Sequence, residues 1–249
     1  MPPARKKAKA KPSPKPRPRP PDGQPAYERG SLARRAYDYI KHGLLEARYG
    51  AGVRLSIDVI RTELGVSRFP VMEALKQLES EQLVIIKPQV GCAVATPSRR
   101  EISDHFRFME RAEGFITELA AERAGNAEIE NLSFISSQIG LLLSTKMPPA
   151  QTAAHYRKLN RDFHNLIHEM AASPGLTANV AKLFDRNDFY IAISGSGQIF
   201  ADSLAQSQSE HDRIVQAIAE RDTAKARAAT EFHIRMIHNR VVNRPNPGD

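Results

Sequence analysis

Gly65 restricts the fold of this chain more than any other residue, because it stands between two short helical patterns that must turn sharply around it. Ahead of it, Ser56 is placed to cap a helix whose buried side is Val59, Ile60 and Leu64. Behind it, Ser67 opens the run RFPVMEALKQLESEQL, in which Val71, Ala74, Leu75 and Leu78 recur at helical spacing. Two short helices around a glycine also occur in ordinary helical cores, so the flanking sequence decides what they belong to. Upstream lies an amphipathic stretch, SLARRAYDYIKHGLLEARYG, capped by Ser31 and ended by Gly50 and Gly52. Downstream lie two β-prone segments, LVIIKP and CAVATP, joined by Gln89, Val90 and Gly91 as a hairpin. Three helices followed by a hairpin is the order of a winged helix-turn-helix.

That arrangement predicts a surface that reads duplex DNA. Opposite the buried stripe of the second motif helix lie Arg68, Phe69, Met72 and Lys76, with Pro70 in the same first turn. In such a motif the start of the second helix enters the major groove, where a basic side chain reads guanine and an apolar one meets a thymine methyl. Ser67 and the first free N–H groups can hold a phosphate, and Gln89 and Gly91 form the tip of the wing.

Beyond Pro97 strand signals nearly vanish. Helical patterns occupy roughly 101–125, 127–146, 152–172, 176–193, 202–221 and 223–242, broken at Gly125, Met147-Pro148-Pro149, Ser173-Pro174-Gly175 and the SGSGQ run at 194–198. Aromatic residues make up 6% of the chain and Trp is absent, which suits helices packed through Ala, Leu and Ile. The predicted class is therefore mainly α: an N-terminal winged helix-turn-helix plus a C-terminal six- or seven-helix antiparallel bundle. The expected domains are a basic Pro-rich tail (1–28), the winged helix (29–97), an all-helical domain (98–243) and a short tail (244–249).

The net charge of +8 belongs to the first of these tails. Arg5, Lys6, Lys7, Lys9, Lys11, Lys15, Arg17 and Arg19 stand there with no acid among them, and the rest of the chain holds 28 basic and 28 acidic residues. The tail has almost nothing to bury and is expected to stay disordered, either as an arm that neutralises phosphates or as a solubilising extension. Cys92 is the only cysteine, no apolar run is long enough to span a bilayer, and no export signal is visible, so a cytoplasmic location without membrane contact is expected.

The motif LGVSRFPVMEALKQLESEQLV together with KPQVGCAV resembles the GntR family of bacterial regulators, and residues 31–97 follow its pattern. Two departures stand out: Met72 where the family usually has Arg, and Asp58 where a basic residue is common. If both positions meet DNA, the operator differs from the common half-site. The stretches FRFMERAEGFITELAAERAG, LNRDFHNLIHEMAASPGL and SEHDRIVQAIAERDTAKARAATEFHIRMI resemble the FCD effector-binding domain of the FadR-type subfamily, over most of 98–242. The resemblance implies a divalent metal, zinc- or nickel-like, on Asn160, His164, His211 and His233. Asn160 replaces the usual Asp, and its uncharged amide weakens the ligand set. A metal-free polar pocket and a structural polar cluster remain open on the same residues. His168, one turn beyond His164, is a rival ligand without a family counterpart, and is taken as partly exposed. His105, His155 and His238 carry no signal, and His42 reads as surface.

Three neutral imidazoles and an amide leave a metal's charge uncompensated, which would draw an anionic effector. The candidate anchors for a small organic acid are Arg111 and Arg107, although the family register falls nearer Met109; an exposed ion pair to Glu110, Glu113 or Glu118 is the plain alternative for Arg111. The resemblance thus implies a homodimeric repressor on a palindromic operator, released by a small carboxylate. An architectural DNA-binding protein is the alternative. Catalysis is not expected: Asp162 and Glu169 are poorly placed as a general base, and no GxSxG, HExxH or phosphate loop is present.

Overall fold

The computed structural model describes residues 29–194 and 197–243. The basic tail, the C-terminal tail and Gly195 and Ser196 of the SGSGQ run lie outside the described residues. Helix α1 (Arg29–Leu45) buries Ala36, Tyr37, Ile40 and Leu44. It begins ahead of Ser31, which therefore lies inside the helix instead of capping it.

A two-residue strand, β1 (Arg54–Leu55), precedes α2 (Ile57–Leu64) and α3 (Arg68–Ser80). Ser56 caps α2 by accepting a hydrogen bond from the Val59 N–H, and Gly65 closes it in the left-handed conformation, at φ 63°. Only Ile60 and Leu64 are buried on α2; Val59 is 54% exposed, against expectation, because the short helix turns just one flank to α3. From α3, Val71, Ala74, Leu75 and Leu78 enter the core as predicted.

Strands β2 (Val84–Lys87) and β3 (Gly91–Val94) form the hairpin, in the register Ile85↔Ala93 and Lys87↔Gly91. Strand β1 pairs with the other edge of β3, giving the sheet order β1-β3-β2. The third strand was not legible because two residues carry no alternation to detect.

Ser98 and Glu101 make a reciprocal capping box that starts α4 (Arg99–Arg123) and sets the boundary between the two domains. There follow α5 (Asn126–Leu141) with a 3₁₀ turn at Leu142–Ser144, α6 (Pro149–Met170), α7 (Pro174–Ile193), α8 (Gly197–Ala219) and α9 (Thr223–Val242). The breaks at Gly125, Met147-Pro148-Pro149 and Ser173-Pro174-Gly175 fall as expected, whereas α8 starts at Gly197, inside the SGSGQ run and ahead of the expected 202. Helix α4 is the central element and lies along α9, where Gly114 lets the two backbones close in: a Cβ there would sit 2.7 Å from the Glu231 Cγ. Phe106, Met109, Phe163, Ile167 and Phe189 fill the bundle core, each worth about 1.5–3 kcal/mol of burial. Among the described residues no helix is long and apolar enough to cross a membrane.

Candidate functional site

Two sites take shape, one on each domain. On the first, the left-handed turn at Gly65 directs the start of α3 outward. Ser67 caps α3 through its backbone conformation alone, with no side-chain cap hydrogen bond. Arg68, Phe69 and Lys76 are exposed, and Phe69 leaves 64% of its surface in water. The phenylalanine ring and the neighbouring arginine thus share the exposed leading turn of α3. The wing tip is also exposed, with Gln89 at φ 62° and Gly91 at φ 121°.

Two residues of the predicted surface are placed differently. Pro70 is buried, packed inward in the first turn of α3, where its missing N–H costs nothing; it supports the helix start and is withdrawn as a DNA contact. Met72 is half-buried against the core edge. Asp58 sits in the first turn of α2, where Arg61 binds it at 2.7 Å and offsets its charge.

The second site lies inside the bundle. His164 on α6, His211 on α8 and His233 on α9 are at most 1% exposed, and one ring nitrogen from each lies within 4.8 Å of the others. Their ring centroids are 5.9 Å (His164 to His211), 5.5 Å (His164 to His233) and 4.7 Å (His211 to His233) apart. Three helices brought together by core packing thus converge three imidazoles on one point.

Around this point the polar accounting is uneven. His233 donates from Nδ1 to the Glu210 carboxylate at 2.8 Å, which leaves Nε2 as the acceptor facing inward. Glu210 is itself held by Arg240 at 2.8 Å. Both nitrogens of His164 and His211, and the Nε2 of His233, have no hydrogen-bond partner although all are buried. Burial first, then the neighbouring imidazoles and Arg240, push His211 and His233 well below the ordinary imidazole range. Unpartnered and convergent ring nitrogens are the donor set that a divalent ion such as zinc requires, and a carboxylate behind one of them is the usual way a ligating imidazole is oriented. The residues therefore fit a metal.

Asn160 is buried one turn before His164, but its Oδ1 already receives a long hydrogen bond from the Tyr156 hydroxyl, at 3.4 Å. It stands beside the three histidines without sharing their unpartnered character. His168 departs from expectation: it is 6% exposed and its Nε2 bonds Glu113 at 3.0 Å, so it is committed to that carboxylate instead of lying half in water. Glu113 is fully buried and also lies 3.8 Å from His164 Nδ1. Burial would raise its pKa, but the His164 and His168 rings outweigh burial and hold it down to about 2. His105 is buried too, against Tyr190.

The arginine candidates fall outside. Arg111 is 62% exposed and pairs with Glu231 at 2.7 Å and Glu110 at 3.4 Å, and Arg107 is 74% exposed beside Asp104. Both point from the outer face of α4, whose inner face carries Met109 and Glu113 instead. Sequence reading missed Glu113 and Glu210 as parts of the site. Glu210 had a faint signal in its adjacency to His211, whereas Glu113 meets its histidines from a different helix and had none.

Comparison with known proteins agrees with this two-part design. The family described as "Bacterial regulatory proteins, gntR family" matches residues 32–94, and the FCD domain matches residues 104–236. The HTH-type transcriptional repressor GlaR of Escherichia coli (strain K12) is 25% identical over 203 residues, spanning 80% of this chain and 90% of its own length. Among solved structures, McbR/YncC of E. coli superposes with a TM-score of 0.66 at 19% identity, covering 82% of this chain and 94% of its own. A GntR transcriptional regulator from Rhodococcus sp. RHA1 superposes with a TM-score of 0.68 at 14% identity, covering 86% and 99%. At such identities the structural likeness is one of fold.

Proposed function

Since this chain belongs to the GntR family of bacterial regulators and carries an FCD domain, we propose that it is a homodimeric repressor that leaves a palindromic operator when a small carboxylate metabolite enters its helical domain. The observation that carries the reading is the coexistence, in one chain, of an exposed recognition turn at Ser67–Phe69 and a buried cluster of three histidines with unpartnered ring nitrogens. The relatives named above are transcriptional regulators and not enzymes, and GlaR's description as a repressor favours that sign of control.

On the DNA side, the α3 N-terminus offers free N–H groups and the Ser67 hydroxyl to a phosphate, which fixes register without reading sequence. Arg68 then reaches a guanine edge and Phe69 a thymine methyl. Lys76 and the wing tip add contacts to the backbone. One recognition helix reads few bases, so paired half-sites about one helical turn apart are needed for selectivity, which is the reason for a dimer.

In the pocket, His164, His211 and His233 would hold a divalent ion, which when bound supplies positive charge able to complete its shell with a carboxylate. Glu210 fixes the His233 tautomer, and Glu113 holds His168 beside His164. A ligand regulates only by its differential affinity for two placements of the DNA-binding domains.

The test joins both halves. Protein purified without chelator is assayed for bound metal, then used to select duplexes from a random pool, and the selected duplex is titrated with di- and tricarboxylic acids. Enrichment of an inverted repeat, released by one acid class, is expected. Recovery of no preferred sequence would sink the regulator reading. A selected site that no acid releases would sink the carboxylate part alone.

A further inference from the structure

We infer that a half-buried cluster of ion pairs at the junction of the two domains, centred on Lys41 and Asp185, is the joint through which the histidine pocket acts on the recognition helix. The inference rests on the regulator reading and adds to it the residues that carry the signal.

The cluster begins one turn from the pocket. Arg161 lies on α6 three residues before His164, so both project from neighbouring positions of one helix face. Its guanidinium stacks over the Phe184 ring at 4.9 Å, and the same ring packs against His164 at 4.8 Å and His168 at 6.4 Å. Arg161 donates to Asp185 at 2.6 Å and also bonds Asp188, both on α7. Burial raises the Asp188 pKa, and Arg161, with a smaller contribution from the His164 ring, works against that rise.

From there the cluster crosses to the DNA-binding domain. The second oxygen of Asp185 accepts from Lys41 of α1 at 2.6 Å. Lys41 also donates to the Tyr37 hydroxyl at 2.6 Å and to Glu81 at 3.3 Å, and Tyr37 donates to Glu81 at 2.9 Å. Glu81 is the C-cap of α3, the recognition helix, and its backbone carbonyl accepts from Arg186 of α7 at 3.1 Å. The side chains of Lys41, Glu81, Asp185, Asp188 and Arg161 are only 16–26% exposed, so these pairs are screened less than surface ones.

Two features make this more than a static brace. Lys41 has an acceptor on each side of the junction, Asp185 across it and Glu81 within its own domain, and bonds both at once, so weakening one leaves it the other. Arg161 is likewise divided between Asp185 and Asp188. Positive charge added at His164 competes with Arg161 for Asp188. Arg161 then leans on Asp185, the Asp185–Lys41 bond weakens, and Lys41 falls back on Glu81, which loosens α1 from α7. Coupling of this kind needs a two-state element biased from both ends, and Lys41 supplies it.

The test uses the full chain with zinc alone as the probe, comparing wild type, Lys41→Met and Asp185→Asn. Calorimetry measures zinc affinity, and amide hydrogen exchange measures protection of α1 and of the last turn of α3, with and without zinc. The expected result is zinc-dependent loss of α1 protection in wild type, several-fold or more. In both variants that change should shrink to within error, while zinc affinity stays within about threefold of wild type. Zinc that binds wild type without altering α1 exchange overturns the inference, as does an equal response in the variants. Failure of zinc to bind wild type also overturns it, and is told apart from failure of the regulator reading because duplex selection is scored separately.

Discussion

His233 shows how one residue's partners define its chemistry. Its Nδ1 is tied to Glu210 and its Nε2 is left open, so the tautomer that presents a lone pair to the pocket is fixed by a carboxylate on another helix. Glu210→Gln should weaken zinc binding about 10- to 100-fold, read by competition with a chromophoric chelator, since an orienting carboxylate typically contributes that much. An unchanged affinity would mean that the ring is oriented by packing alone. His105 governs a different property. Burial, and then the Arg186 charge, lower its pKa to about 4. Between pH 6.5 and 4 the unfolded chain takes up a proton that the folded chain refuses, so stability present above pH 6.5 is lost as pH falls, by about 3 kcal/mol toward pH 4. Glu113 adds to the loss only below its ordinary range, because its pKa is depressed to about 2. Urea unfolding at pH 7 and pH 4.5 should show the difference, and His105→Gln should reduce it without abolishing it, because burial also lowers the His211 and His233 pKa values; a difference unchanged in the variant would assign the acid sensitivity to other groups.

At the scale of elements, the helix-turn-helix rests on Gly65. Its φ of 63° is costly for any residue with a Cβ, although a Cβ there would meet nothing within 4 Å. Gly65→Ala should therefore cost about 1–2 kcal/mol through backbone conformation alone, visible as a lowered urea midpoint with an unchanged slope. Loss of less than a few tenths would show that the turn relaxes. Arg68→Ala, by contrast, should leave folding intact and relax base preference at one operator position by about 1–3 kcal/mol; an even loss over all sequences would make Arg68 a phosphate contact. These elements were readable because local rules agree within them: the cap at Ser56, the apolar spacing of α3 and the glycine-tipped hairpin. What failed was the facing of residues within an element. Val59 and Pro70 were assigned to the wrong side because a helix of two turns, or the first turn of a longer one, has too few residues for periodicity to fix its orientation.

For the whole molecule, the eight cations between Arg5 and Arg19 sit on a tail outside the described residues, while the remainder is balanced in charge. Deleting residues 1–25 should weaken binding to all duplexes alike and reduce the slope of log affinity against log salt, by up to about 7 if every cation meets a phosphate; a loss confined to one operator would give the tail a reading role. Two helical regions flanking a hairpin, their order and the recognition turn were legible from spacing along single helices and the hairpin, whereas the histidines on α6, α8 and α9 were grouped only by the family resemblance. Only the tertiary structure decided that Glu113 and Glu210 stand behind those histidines, that Arg107 and Arg111 face solvent, and that Lys41 of one domain meets Asp185 of the other. The reason is physical: periodicity fixes which residues share a face of one helix, but not which face of another helix it meets, and buried charges are partnered across helices where no spacing rule reaches.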